Sequence, residues 1–252
     1  MMDVAHDSGI AVLTMKHGKA NALDTEFCEA LAARLSEVAR SDAKAVVLTG
    51  QGMMFSAGVD LKRVSAGGAD YIRDFLPSLH KLYDTTFNFP KPLVSAINGH
   101  AIAGGAVLAV CADRRIMSGG RIGITELLVG VPFPALAFEI VRFAVPHRYL
   151  AEFTLGAATY NIDDALQRGW VDELAEPEEV VEDAIAVAQE LAALSPPAFA
   201  QAKKQLRQAV KERYAHNGAD TDAAVADIWC APEALARIRD YVERTLAKPK
   251  PL

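Results

Sequence analysis

The stretch Leu93-Val94-Ser95-Ala96-Ile97-Asn98-Gly99-His100-Ala101-Ile102-Ala103-Gly104-Gly105-Ala106-Val107-Leu108 decides the fold. Its first residues form a short apolar run of the kind a buried parallel strand needs, and Asn98-Gly99 ends that run with turn chemistry. Gly104 and Gly105 then open a helix that continues through Leu108 and Val110. A strand that passes through a glycine turn into a helix is the repeating element of an α/β chain. Leu93 to Ala112 is also apolar enough to raise a membrane span. Asn98, His100 and the glycines interrupt that span, whereas strand, turn and helix use those same residues.

The same pattern extends outward. Ala45-Val46-Val47-Leu48-Thr49 is a second short buried strand, followed by the glycine turn Phe55-Ser56-Ala57-Gly58-Val59-Asp60-Leu61, where Asp60 caps a short helix starting at Leu61. Ile10 to Met15 and Arg114 to Ser118 supply further strands. Between them, Asp24 or Thr25 caps a helix whose Phe27, Leu31, Leu35 and Val38 recur on one face. From about Pro177 onward no strand is expected; Glu179–Leu194, Pro197–Arg213 and Pro232–Ala247 read as helices, and Lys248–Leu252 as a frayed tail. The pattern predicts an α/β body over residues 1–190 and a helical region over 191–252.

Composition narrows the function. Apolar residues make up 51% and charged residues 23%, so the chain can bury a large core. A net charge of −6 argues against a nucleic-acid partner, which would require a basic stripe. Cys28, Cys111 and Cys230 are far apart and odd in number, which suits a reducing compartment. The opening residues carry no basic segment ahead of an apolar one, so the expected location is cytoplasmic.

Several phosphate and nucleophile motifs fail on inspection. Gly50-Gln51-Gly52 begins like a dinucleotide loop, but Phe55 stands where a third glycine must pack. Gly99 and Gly104 have P-loop spacing, yet Gly105 and Ala106 replace the lysine and hydroxyl residue. Ser56 lacks a nucleophile elbow because Met54 precedes it, and no His/Cys cluster indicates a catalytic metal.

The two glycine turns survive. In the first, Gly58 lets a ligand approach the backbone and the Val59 N–H points outward, with Lys62 and Arg63 nearby. In the second, the N–H groups of Gly104 and Gly105 have no partner within the helix they open, and the helix dipole favours negative charge there. The Gly-Gly pair serves close packing against a strand equally well. Glu126, within the apolar run Gly123–Pro132, is either a satisfied structural acid or a base whose pKa burial has raised. Glu139, in an apolar helix over Ala135–Ala144, reads as structural. His100 either lines the pocket or makes a structural hydrogen bond. Two N–H groups around one oxygen, with a carboxylate nearby, form a constellation suited to enolate chemistry.

Together these residues resemble the crotonase superfamily, also called the enoyl-CoA hydratase/isomerase family. The resemblance runs from Ala20-Asn21-Ala22-Leu23 through residues 55–61 and 96–105 to Ala112-Asp113-Arg114-Arg115. It continues through Thr125-Glu126-Leu127-Leu128-Val129-Gly130-Val131-Pro132 and Ala165–Asp172. It implies a right-handed spiral of ββα units with a C-terminal helical region that supports subunit contact in trimers or pairs of trimers. It also implies an acyl-CoA thioester substrate of fatty acid metabolism, with no metal and no cofactor apart from the substrate's own CoA. Val59 and Gly104 would hold the thioester oxygen; Ala20, Ala22, Ala57, Gly58, Asp60, Leu61 and Lys62 would contact substrate, as would His100. Lys203 or Lys204 would reach the nucleotide phosphates. Hydratases of the family carry two glutamates; Val107 stands at the first position and Glu126 at the second. One acid suffices for a double-bond shift, so the chain resembles single-glutamate Δ3,Δ2-enoyl-CoA isomerases. The alternatives are a 2-enoyl-CoA hydratase and a catalytically silent acyl-CoA binder. Chain length would be set by helices around Tyr71–Leu82.

Overall fold

A computed structural model describes residues 1–246. Among them, the strands are β1 (Met2–Asp7), β2 (Ile10–Met15), β3 (Ala45–Thr49), β4 (Met54–Ser56), β5 (Leu93–Ile97), β6 (His100–Ile102), β7 (Arg114–Met117), β8 (Ile122–Gly123) and β9 (Glu173–Leu174). The helices are α1 (Thr25–Arg40), α2 (Leu61–Phe87), α3 (Gly104–Val110), α4 (Ala135–Ala144), α5 (His147–Leu155), α6 (Ile162–Arg168), α7 (Val180–Ala192), α8 (Pro196–Leu206), α9 (Gln208–Cys230) and α10 (Pro232–Tyr241).

Two sheets organise the body. The larger has the order β1-β2-β3-β5-β7-β9, parallel except for the β1–β2 hairpin; the smaller is the parallel set β4-β6-β8. The units β3-β4-α2, β5-β6-α3 and β7-β8-α4 each send their first strand to the large sheet and their second to the small one. The chain is therefore a spiral of ββα units. The short apolar runs are explained by burial on both faces. Val46 and Leu48 point into the main core with Phe27, Leu31 and Leu35 of α1. The alternate residues Ala45 and Val47 meet Val180, Ala184 and Ala188 of α7 on the other face.

Local chemistry places the helix starts. Asp24 caps α1 by accepting from Phe27 N, and Asp60 caps α2 by accepting from Lys62 and Arg63 N. The helix from Leu61 is longer than expected and reaches Phe87, but Gly68 (φ 60°, ψ −149°) leaves helical geometry and divides it. The helix expected over Pro197–Arg213 breaks at Arg207, and α9 then runs on to Cys230. Arg207 is drawn inward to donate to Asp113 Oδ1 (2.7 Å) and to the Cys111 carbonyl (3.1 Å). A boundary at residue 190 falls inside α7, which ends at Ala192. The last helix ends at Tyr241, followed by a wide turn over Val242–Leu246; Ala247 and the tail lie outside the described residues.

The C-terminal helices pack onto the body of the same chain. Val225 and Trp229 of α9 and Ala234 and Ile238 of α10 form one apolar cluster with Val64, Ile72, Val129 and Val131. No described helix is long and apolar enough to cross a membrane.

Candidate active site

A cavity of about 510 Å³ lies where the two glycine turns, the Glu126 segment and the C-terminal helices meet. The first turn is stitched to the Ala20–Leu23 segment. Leu23 N–H donates to Gly58 O (2.8 Å), Asp60 N–H to Leu23 O (2.9 Å) and Ala57 N–H to Ala20 O (2.9 Å). The Asn21 amide donates to Phe55 O at 3.1 Å. Backbone groups alternate direction along an extended segment, so Val59, between Gly58 and Asp60, turns its N–H away from Leu23. No acceptor takes that N–H among the described residues, and Val59 borders the cavity.

The second turn presses against the first. Gly58 has φ +78°, and a Cβ there would lie 2.6 Å from Ile102 O and 2.9 Å from Gly104 N. A Cβ on Gly105 would lie 2.3 Å from Ser56 O, so the Gly-Gly pair does serve close packing. It also opens α3: Ala106 and Val107 N–H return to Ala103 O, leaving the N–H groups of Gly104 and Gly105 ahead of the first helical bond. The Tyr83 hydroxyl donates to Gly104 O at 3.0 Å and is itself buried.

Glu126 begins a single 3-10 turn, Glu126–Val129, which Gly130 closes in the left-handed conformation. Its side chain is buried, and Oε2 has no hydrogen-bond partner. Desolvation raises its pKa to about 7, against the smaller downward pull of hydrogen bonds from the backbone of Glu126 and Thr125. Asp60 is another carboxylate on the cavity wall, and its Oδ1 is occupied by the α2 cap. Glu126 alone among the wall carboxylates has a free buried oxygen.

Similarity to known proteins agrees with this geometry. The family model for "Enoyl-CoA hydratase/isomerase" matches residues 5–244. The chain belongs to the enoyl-CoA hydratase/isomerase family. It is 35% identical over 191 residues to a Thermus thermophilus protein that carries the enoyl-CoA hydratase name, covering 74% of this chain and 75% of that one. An enoyl-CoA isomerase from Mycobacterium tuberculosis superposes with a TM-score of 0.82 at 34% identity, covering 88% of this chain and 97% of that one. Human mitochondrial Δ3-Δ2-enoyl-CoA isomerase gives a TM-score of 0.90 at 25% identity, covering 96% and 97%. The fold is thus the crotonase fold of an acyl-CoA-processing enzyme family.

Within that fold, Ala20, Ala22, Ala57, Val59, Asp60, Leu61, Lys62 and Glu126 border one cavity. Gly58 and Gly104 stand just behind its wall, where the turns touch. His100 does not border it: this residue sits on β6, where its N–H donates to Met53 O (3.0 Å). Lys203 is also elsewhere. It is buried, paired with Asp113 Oδ2 (2.6 Å) and donating to Lys91 O (3.1 Å), so its charge is spent inside this chain. Burial brings its pKa down to about 8. Val107 lies in the main core. Glu139 faces Arg142 and Arg213 in a separate groove. None of Tyr71–Leu82 borders this cavity, whereas Trp229 and Tyr241 of the C-terminal helices do.

His17, Lys19, Thr125, Trp229 and Tyr241 are wall residues that the sequence reading missed. His17 and Lys19 directly precede the Ala20–Leu23 motif, which was a usable signal. Trp229 and Tyr241 had no motif to mark them.

Tyr83 holds the peptide that follows Gly104, so Tyr83→Phe should remove that carbonyl's side-chain donor and loosen the turn. We expect kcat to fall about tenfold with KM little changed, read by steady-state kinetics.

Proposed function

We propose that the protein is a Δ3,Δ2-enoyl-CoA isomerase. The thioester oxygen of a 3-enoyl-CoA docks between the N–H groups of Val59 and Gly104. The Glu126 carboxylate takes a proton from C2, and the electron pair spreads through the double bond onto the thioester oxygen as a dienolate. Each N–H aimed at that oxygen is worth roughly 3–4 kcal/mol in the transition state. Protonated Glu126 then delivers a proton to C4, the double bond settles between C2 and C3, and the carboxylate is regenerated. No electrons are gained or lost, so the step calls for no redox group. Lys62 and Lys19, on the polar side of the cavity, face the CoA phosphates, while Ala20, Ala22, Ala57 and Leu61 pack along the thiol arm. The reaction belongs to the metabolism of unsaturated fatty acids.

The observation that carries this reading is a single buried carboxylate oxygen without a partner, in the cavity that both glycine turns border. Syn addition of water is best served by two acid/base groups gripping that water. Val107 and Glu139 do not reach the cavity, so neither supplies a second one. Incubating the protein with 3-enoyl- and 2-trans-enoyl-CoA and separating the products tests the reading. A 2-enoyl product from the first substrate, with slow hydration of the second, supports it. Fast hydration points to the hydratase, and binding without either product to a silent binder.

A base with pKa about 7 gives a direct pH signature. We expect kcat/KM to fall about tenfold per pH unit below 7 and to level off above it. A trimer or pair of trimers remains the proposed assembly, consistent with exposed Leu127 and Leu128 beside Glu126. Light scattering reads it directly.

A further inference from the structure

The apolar end of the cavity has a specific stop. Val129 and Val131 continue from the Glu126 turn, and Trp229 and Tyr241 close over them from the C-terminal helices. Trp229 is 1% exposed, and its indole N–H donates to Pro132 O at 2.9 Å, which fixes the ring in one orientation. Next to this wall lies a second groove of about 430 Å³ between α4 and α9, whose lining includes Pro132, Val225, Phe133 and Phe138. Val131 and Pro132 are adjacent residues, and Val225 and Trp229 are one turn apart on α9. One side of this thin wall therefore faces the active cavity, and the other faces a groove that carries Phe133 and Phe138 together with the paired Glu139, Arg142 and Arg213. Asp222, one turn before Val225, holds the wall in place by accepting from Ala135 N (2.7 Å) and Tyr214 OH (2.9 Å).

We infer that Trp229 is the residue that sets acyl-chain length: the end of the chain abuts its indole, and the ring bars passage into the α4–α9 groove. The inference rests on the acyl-CoA reading above, and it places the polar CoA portion at the His17–Lys19 side and the hydrocarbon at the Val129–Val131 side. Trp229→Ala would join the two spaces and lead an extended chain past Val225 toward Phe133 and Phe138.

Calorimetric binding of saturated acyl-CoAs of increasing length tests this without requiring turnover. Each methylene buried should tighten binding by about fourfold until the chain meets the stop. In the unaltered protein the gain should end at a definite length; in Trp229→Ala it should continue for several more methylenes, and 3-enoyl-CoA turnover should shift toward longer chains. Trp229→Leu, a smaller disturbance to packing, should give a shorter extension in the same direction. The unaltered protein supplies a further readout, because a bromine at the chain terminus should quench Trp229 emission at one chain length only. Trp170, the other tryptophan of the chain, packs at a tilt against Phe153 in the main core and serves as the unquenched background. An identical end point in the unaltered protein and both variants, or terminal bromine that leaves emission unchanged at every length, would overturn the inference. Absence of acyl-CoA binding at any length would instead sink the acyl-CoA reading beneath it.

Discussion

Glu126→Gln should lower 3-enoyl-CoA isomerisation by about a thousandfold or more and, at the same time, make the protein more stable at pH 8. The two effects share one cause. Burial holds the carboxyl near pKa 7, against 4.5 in the unfolded chain. Between those values the folded state binds the extra proton, so the group's contribution to stability is full below pH 4.5 and is lost as pH rises through 7. At 1.36 kcal/mol per unit, keeping that side chain charged costs the fold about 3 kcal/mol at pH 8. A glutamine has the same shape without the charge. Its melting temperature should therefore exceed that of the unaltered protein by several degrees at pH 8 and match it at pH 4. Calorimetry at the two pH values, beside a steady-state assay, checks both halves. Retained turnover would move the proton-transfer role to another acid.

Gly58→Ala should be nearly as damaging to catalysis. A methyl group there would sit 2.6 Å from Ile102 O and 2.9 Å from Gly104 N, on a residue whose φ of +78° disfavours any side chain. The two turns must part to admit it, and the convergence proposed for the Val59 and Gly104 amides would then be lost. Loss of one well-aimed donor costs 10²–10³ in kcat as an order of magnitude, so we expect a drop of roughly that size. KM should change less, because the CoA contacts proposed for Ala20, Ala22 and Lys62 lie outside the Gly58–Gly104 contact. A KM effect alone, with kcat intact, would show that the amides do not act in the chemical step.

Much of this arrangement was legible in the sequence, for physical reasons that differ by element. The strands β2, β3 and β5 announce themselves because burial on both faces demands continuous apolar runs; in β7 only Ile116 and Met117 carry that signal, behind two half-buried arginines. The two glycine turns are visible because close approach of two backbones leaves no room for a side chain. Strands β1, β4, β6, β8 and β9 were not seen: β1 is a largely exposed edge strand, while the others are three residues or fewer and carry no period to detect. Glu126 stood out as a carboxylate among apolar residues, yet sequence alone left its role open between a satisfied acid and a base; its unpartnered oxygen is a property of the folded site. Lys203 misled because a basic residue in the expected place looks free in a sequence. Its partner, Asp113, lies 90 residues away. Trp229 and Tyr241 were invisible for a similar reason, since only the packing of α9 and α10 over α2 brings them to the cavity.

The most direct test of the central claim follows the protons on C2 of a bound thioester. The protein is incubated with a 3-enoyl-CoA carrying deuterium at both C2 positions, and the recovered material is analysed by mass spectrometry and NMR. We expect one deuteron to leave C2, appearing at C4 or in water, in the unaltered protein and not in Glu126→Gln. A thioester that binds tightly yet keeps both deuterons at C2, or loses one equally fast in the two proteins, would contradict enolate formation by Glu126.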